Sequence, residues 1–172
     1  MTMSGPFIRR PVATTLLALG MLLAGCFAPI VPGESREAEV YERFGQPDER
    51  WERADGSRVL VYPGGPLGMQ SWRFTVAPDG TVQQVEQLLD EAHFARIRAN
   101  MTQDEVRREL GRHGESMRFP NLNEEVWSWR YMDFGNRRMF FNVHFDPEGR
   151  VKYTSRTEDR VPELLRLRTR GR

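Results

Sequence analysis

The sequence predicts an α+β fold built from two similar tandem units, each with one or two helices and three antiparallel strands, after an N-terminal signal peptide. Two observations carry this prediction. An apolar stretch follows two arginines near the N-terminus, and one pattern of helix and strand signals occurs twice in the rest of the chain. The length of 172 residues suits one domain or two small ones.

The N-terminal segment has the composition of a secretory signal peptide. Arg9 and Arg10 are the only charged residues before Glu34. The uncharged run 12–24 that follows has about the length of the apolar region of such peptides. An uncleaved transmembrane helix over 12–30 is an alternative of just sufficient length, although two glycines and a proline interrupt it. A twin-arginine export signal is a further alternative.

The apolar run ends in Leu23-Ala24-Gly25-Cys26, which resembles the bacterial lipobox. In that motif the small residues enter a narrow peptidase cleft, and the thiol takes a diacylglycerol through a thioether bond. Cys26 is the only cysteine, so an intrachain disulfide and a Cys-rich zinc site are excluded. The resemblance implies a mature chain that begins at Cys26 and that its acyl chains anchor stably. Phe27, where an inner-membrane retention signal has Asp, implies the outer membrane.

An internal repeat organises the remaining chain. Segments 31–45 and 97–111 match at an offset of 66 residues, and segments 72–82 and 141–151 match at an offset of 69. The later pair shares the pattern apolar-x-apolar-x-apolar-x-Pro-acidic-Gly-x-Val. Two matches in the same order predict an internal duplication. In the earlier pair the matched residues are Val31/Ile97, Glu39/Glu105, Val40/Val106, Phe44/Leu110 and Gly45/Gly111.

Each unit contains a predicted amphipathic helix. Thr102 and Glu105 have the spacing of a capping box, and Val106 and Leu110 then share one helical face, which ends at Gly111.

In the first unit we expect Ser35 to cap the equivalent helix, with Val40 and Phe44 on its apolar face. A further short helix over 90–97 is expected to be capped by Asp90 and to turn Phe94 and Ile97 inward.

Strands are predicted where apolar residues alternate with polar ones or where β-branched and aromatic residues cluster. Two Pro-acidic-Gly sequences, 78–80 and 147–149, predict tight turns between strands. The predicted strands cover 58–62, 72–76, 81–87, 125–131, 141–145 and 150–157.

The sequence Ile97-x-x-Asn-Met-Thr-x-x-Glu-Val-x-x-x-Leu-Gly111, followed by strands ending in Asp146-Pro-Glu-Gly-x-Val151, resembles the SmpA/OmlA family. This family includes BamE-like lipoproteins of the outer-membrane β-barrel assembly machine. The resemblance implies two helices on a three-stranded antiparallel sheet. The doubled unit is similar to the fold of the β-lactamase inhibitory protein.

Together these features divide the chain into five parts. Residues 1–25 are the signal peptide, and 26–33 are a lipidated tether. The first BamE-like repeat is expected over 34–88 and the second over 89–159. A basic C-terminal tail covers 160–172.

The three histidines do not form a recognisable catalytic or metal site. None has a second His or a Cys at ligand spacing, and no HExxH or GxSxG sequence occurs. We expect His93 on the exposed side of its helix, His113 in a loop and His144 as a solvated strand residue. The glycine-rich segment 63–68 lacks the GK[ST] ending of a phosphate loop, so we interpret it as a strand connection. No cofactor or metal is expected apart from the lipid on Cys26.

Trp127, Trp129 and Tyr131 alternate on one face of a predicted strand. They either form the core beneath the helices or lie partly open and bind a partner, since Trp and Tyr dominate binding hot spots. Two loops, 63–68 and 133–136, are further candidates for partner contacts. The additional candidate residues there are Gly64, Gly65 and Phe134.

The charge distribution bears on partners. The chain has 25 basic and 24 acidic residues, which argues against nucleic-acid binding by bulk positive charge. The tail 160–172 has five arginines and one glutamate, whereas the chain between Cys26 and Asp159 is net acidic. The tail is either an unstructured end or a segment that contacts anionic lipid.

The sequence thus predicts a non-enzymatic lipoprotein on the periplasmic face of the outer membrane. Its expected role is to bind an envelope protein during envelope assembly or maintenance, and the β-barrel assembly machinery is one candidate partner. An inhibitor of a periplasmic hydrolase, such as a β-lactamase or a protease, is the alternative. An unrecognised enzyme would need a polar cleft that gathers His and carboxylates from both halves.

Overall fold

The computed structural model describes residues 29–159, which form an α+β fold with two four-stranded antiparallel sheets. In each sheet the strands lie in sequence order, so each strand pairs with its neighbour along the chain. The helices are α1 (Glu37–Phe44), α2 (Glu91–Phe94) and α3 (Gln103–Leu110), with a 3₁₀ turn over Pro120–Leu122. The first sheet contains β1 (Glu49–Glu52), β2 (Arg58–Pro63), β3 (Ser71–Val76) and β4 (Val82–Gln87), and the second contains β5 (Glu115–Phe119), β6 (Glu124–Met132), β7 (Arg138–Phe145) and β8 (Val151–Glu158).

The two halves of the described chain share the same order of elements and the same local irregularities. α1 precedes the first sheet as α3 precedes the second, and each half has one isolated backbone bridge and one break in strand register. The equivalent features are separated by the 66 and 69 residues of the sequence matches. They are the bridges Arg36–Thr81 and Thr102–Arg150 and the register breaks at Thr75/Val76 and His144/Phe145.

α1 packs on one face of the first sheet. Val40 is fully buried, and Phe44 lies against the rings of Tyr62 and Phe74 at centroid distances of 5.3 and 5.0 Å. On the opposite face Val59 and Val61 are also fully buried and pack with Leu88. The strand β2 is therefore covered on both faces, which explains its nearly continuous apolar run.

The second core lies between the helices α2 and α3 and one face of the second sheet. Val106 and Leu110 of α3 are fully buried, and Phe94 of α2 stacks on Phe141 at 4.1 Å. Trp129, only 2% exposed, donates from its indole N–H to the carbonyl oxygen of Gly111 at 3.1 Å. This bond fixes the end of α3 against the sheet.

The prediction of three strands per unit is wrong, because each sheet has a fourth strand at its edge. β1 (ERWE) has one apolar residue among three charged ones, β5 (ESMRF) has charged residues at two of five positions, and every residue of β5 is exposed. Edge strands that face solvent need no apolar face, so the sequence pattern gave no strand signal there. The six other strands are confirmed to within a few residues at their ends.

The predicted cap of α3 is confirmed, whereas that of α1 is wrong. Thr102 and Glu105 form the reciprocal capping box, with the Glu105 N–H donating to the Thr102 hydroxyl at 3.2 Å. In α1 the capping residue is Arg36, whose N–H donates to Glu39 at 2.8 Å. Ser35 instead accepts from the N–H of Val31 at 3.1 Å and closes the preceding turn.

The predicted short helix after the first sheet is confirmed but shorter than expected. α2 is capped by the Asp90 carboxylate, which accepts from the His93 N–H at 2.9 Å. Phe94 and Ile97 are buried, as predicted.

Candidate functional site

A groove of about 870 Å³ lies where the loop after β2 meets the second half of the chain. We call it the junction groove. Its walls come from the end of α1, the segment 46–48, the loop 63–70 and two side chains of the second half. The lining residues are Phe44, Gln46, Pro47, Asp48, Tyr62, Pro63, Gly64, Leu67, Gly68, Met69, Gln70, Trp72, Gln87, Arg112 and Met132.

The floor of the junction groove is aromatic and held in place. Tyr62 lies edge-on to Phe74 at 5.7 Å, and its hydroxyl donates to the carbonyl oxygen of Gly45 at 3.1 Å. Burial raises the pKa of Tyr62 to about 12, so the phenol remains a neutral donor at physiological pH. An apolar floor with few polar groups suits an apolar side chain of a partner.

The loop 63–70 folds back on itself through close backbone contacts. A Cβ at Gly64 would lie 2.3 Å from the carbonyl oxygen of Gln70, and one at Gly68 would lie 2.0 Å from that of Gly64. Gly65 has a positive φ of 69°. Only glycine fits such contacts, so the glycines shape the loop and leave Leu67 at its tip, 79% exposed.

The second half holds this loop. The Arg130 guanidinium donates to the carbonyl oxygen of Pro66, and the same side chain binds Asp159 at 2.7 Å and Glu115 at 3.0 Å. Arg112 pairs with Asp48 at 3.0 Å on the groove wall. These charges join residues of both halves around the groove, so its shape depends on how the halves pack.

The structure places Trp127, Trp129 and Tyr131 in the core of the second half, where each is 5% exposed or less. The interpretation that they form an open, partner-binding face is therefore wrong. α2 and α3 cover this side of the sheet, as the alternative predicted.

The loop residues predicted for partner contacts lie at or near the junction groove. Gly64 lines it directly, and Gly65 is its neighbour in the loop. Phe134 is 95% exposed and follows Met132, which lines the groove and is itself 40% exposed. The loop 133–136 thus follows a strand end that lines the groove, and the role of both loops in binding stays a prediction.

Two of the three histidines are less exposed than predicted. His93 is 6% exposed rather than solvated, because its ring pairs with Asp90 at 2.8 Å and faces Glu86 of the first half at 3.8 Å. His113 lies in a loop, as predicted, and stacks on Trp127 at 4.3 Å. Burial lowers the pKa of His113, so its ring is neutral at physiological pH.

His144 lies on the outer face of the second sheet, away from the core, as its strand position predicted. Its side chain is only 16% exposed, however, because Glu124, Tyr153 and Ser155 surround it. The prediction that it is solvated is therefore wrong. Among residues 29–159 no group of three or more potential metal ligands occurs.

The lipobox residues Leu23, Ala24, Gly25 and Cys26, and the tail 160–172, lie outside the described residues. Within 29–159, no helix has both the length and the apolar character needed to cross a membrane.

No family model and no curated protein matches the chain. Among solved structures, the chain is similar to a DUF4309 family protein, YjgB, from Bacillus subtilis subsp. subtilis str. 168. The two share 14% sequence identity with a TM-score of 0.30, over 76% of this chain and 82% of that one. At that TM-score the likeness supports no inference about this chain.

Proposed function

We propose that the protein is an outer-membrane lipoprotein whose function is binding rather than catalysis, and that it binds an envelope protein in the junction groove. The lipid on Cys26 would hold two tandem BamE-like units against the inner leaflet of the outer membrane. The lipobox and the repeated unit support this setting. Assembly or maintenance of the envelope is the process that fits best, with the β-barrel assembly machinery as a candidate partner.

The observation that carries the binding role is the junction groove with its exposed apolar rim. Leu67 and Phe134 are among the most exposed large apolar side chains of the described residues, at 79% and 95%. They lie on two loops near an aromatic floor, and apolar anchors that fill such pockets supply most of the energy of protein interfaces. The matching partner segment would carry an aromatic or branched aliphatic side chain that enters the groove.

Site-specific photo-crosslinking in intact cells tests this proposal. A photoreactive amino acid at position 67 or at position 134 is expected to give the same crosslinked protein. Leu122 is a matched control, because it is 62% exposed on the 3₁₀ turn and does not line the groove. Identical products from all three positions, or none from positions 67 and 134, would contradict the proposal.

Inhibition of a periplasmic hydrolase is the second candidate function. The exposed Leu67 or Phe134, each on its own loop, could fill the substrate cleft of such an enzyme. Inhibition assays against β-lactamases and envelope proteases, with the Leu67→Asp variant as control, distinguish this role from envelope assembly.

A further inference from the structure

A chain of three side chains lies on the outer face of the second sheet, one from each of its last three strands. The Ser155 hydroxyl of β8 lies 3.0 Å from Nε2 of His144 on β7. Nδ1 of the same imidazole lies 3.3 Å from Oε2 of Glu124 on β6. The strand register creates this arrangement, since residues far apart in sequence meet on adjacent strands.

The surrounding contacts decide where the protons lie. Glu124 also binds the ammonium group of Lys152. This bond, together with the one from His144, lowers the pKa of the Glu124 carboxyl group, although burial acts in the opposite direction. The ionised carboxylate can only accept, so Nδ1 of His144 carries the proton in the neutral ring. Nε2 is then an acceptor, and Ser155 donates its hydroxyl proton to it.

Two further residues hold the hydroxyl and the ring. Asn142 donates its side-chain N–H to the Ser155 oxygen at 3.3 Å, while its carbonyl oxygen accepts from Ser128 at 2.8 Å. The ring of Tyr153 stacks on that of His144 at 4.1 Å. The serine oxygen therefore lies beside a base, with an amide donor next to it.

Beyond the proposed binding function, we propose that the protein has a second, enzymatic activity: Ser155 and His144, positioned by Glu124, form an acyl-transfer site for esters of apolar carboxylic acids. Enzymes that hydrolyse by nucleophilic attack use this arrangement: the nucleophile is hydrogen-bonded to a base, and a third group orients the base. Ser155 and His144 are both partly accessible, and exposed Met117 and Tyr153 lie on the same face of the sheet. Tyr153 stacks on His144 and gives the acyl group an apolar surface, whereas Met117 lies two strands away from His144. The site is separate from the junction groove.

The reaction consumes only an ester and water. The Ser155 oxygen attacks the ester carbonyl as its proton passes to Nε2 of His144. The tetrahedral intermediate collapses, the C–O bond to the alcohol breaks, and the alcohol leaves with the proton from His144. Water, deprotonated by His144, then attacks the acyl-serine, the C–O bond to Ser155 breaks, and the acid leaves as His144 returns the proton to the Ser155 oxygen. The Asn142 amide donates to the hydroxyl oxygens of Ser155 and Thr157, at 3.3 and 3.2 Å, so its role is to orient the nucleophile.

Labelling of the full chain in detergent with an alkyl fluorophosphonate tests the proposal, because an ordinary surface serine does not react with this probe. Peptide mass spectrometry is expected to locate the adduct on Ser155. The Ser155→Ala variant should show no adduct. His144→Gln should label about a hundredfold more slowly, since a general base contributes about that factor or more.

Ser116→Ala is the matched control, because Ser116 is an exposed serine on the edge strand β5 and takes no part in the contacts around Ser155 described above. It should label at the wild-type rate. Glu124→Gln should label slowly, and Glu124→Asp, which keeps the carboxylate, should partly restore the rate. Absence of an adduct on the folded wild-type chain, or equal rates for wild type and His144→Gln, would overturn the proposal.

Discussion

Arg73 in the first half donates from its guanidinium to the backbone carbonyl oxygen of Arg108 in the second half, at 3.0 Å. The same side chain binds the Glu86 carboxylate at 2.9 Å, and both side chains are mostly buried. The buried Arg73 guanidinium thus hydrogen-bonds a backbone carbonyl near the end of α3, and the Glu86 carboxylate on the neighbouring strand β4 balances its charge. This contact is one of the bonds that join the two halves.

We expect Arg73→Gln to destabilise the fold by about 2–3 kcal/mol, because it leaves Glu86 largely buried without its partner charge. Urea denaturation followed by tryptophan fluorescence measures the change. Arg96→Gln is the control, since Arg96 pairs with Glu109 but is 56% exposed. An exposed ion pair contributes less than about 1 kcal/mol, so equal losses in both variants would contradict a special role for Arg73.

The Arg73–Glu86 pair also predicts a dependence on pH. The bond from Arg73 lowers the pKa of Glu86 below 4.5, with burial acting in the opposite direction. A carboxyl group whose pKa is lower in the folded state stabilises the fold fully above its unfolded pKa, and the gain disappears as the pH falls through the folded pKa.

The free energies of unfolding of wild type and Glu86→Gln should therefore differ at neutral pH and converge at acidic pH. Urea denaturation of both chains between about pH 7 and about pH 3 makes the comparison. A constant difference over this range would show that Glu86 contributes no charge-dependent stability.

Local signals in the sequence were sufficient to predict most elements of the fold. The capping box of Thr102 and Glu105 and the apolar spacing of Val106 and Leu110 act within one helix, so they can be identified without tertiary structure. The alternation in β3 and β7 is equally local. β1 and β5 could not be found this way, because solvent-facing edge strands need no alternating apolar pattern.

The candidate sites depend on contacts between distant residues, which single-sequence patterns do not show. His93 was expected to be exposed because its partner Glu86 belongs to the other half of the chain. The Ser155–His144–Glu124 arrangement likewise arises only from strand register. The proline and glycine content of 63–68 correctly predicted a loop. It did not predict that this loop and Met132 would together line the junction groove, because that contact joins distant parts of the chain.

Anchoring by Cys26 predicts the distribution of the protein between cell fractions. The Cys26→Ser variant cannot form the thioether, so the export signal remains while the lipid is lost. We expect the variant to move from the membrane fraction to the soluble fraction after cell lysis, as followed by immunoblot. Retention of the variant in membranes would contradict lipid anchoring and would favour the uncleaved transmembrane helix.

Gly45 and Gly111 occupy equivalent positions at the ends of α1 and α3, and they form a pair of matched variants. Both have a φ of 74° with an extended ψ, a backbone conformation that is essentially restricted to glycine, so an alanine at either position costs about 1–3 kcal/mol in backbone strain. Only Gly111 has close neighbours: an added Cβ would lie 2.6 Å from the Ser71 hydroxyl oxygen and 3.2 Å from a methyl group of Val61.

We therefore expect Gly111→Ala to lose more stability than Gly45→Ala, by about 1–3 kcal/mol, because it also forces the end of α3 away from the first sheet. Urea denaturation of the two variants under the same conditions gives the difference. If the second half did not pack closely on β2 and β3 in solution, the added methyl group would meet nothing. Equal losses for the two variants would then show that the contact between the halves is absent.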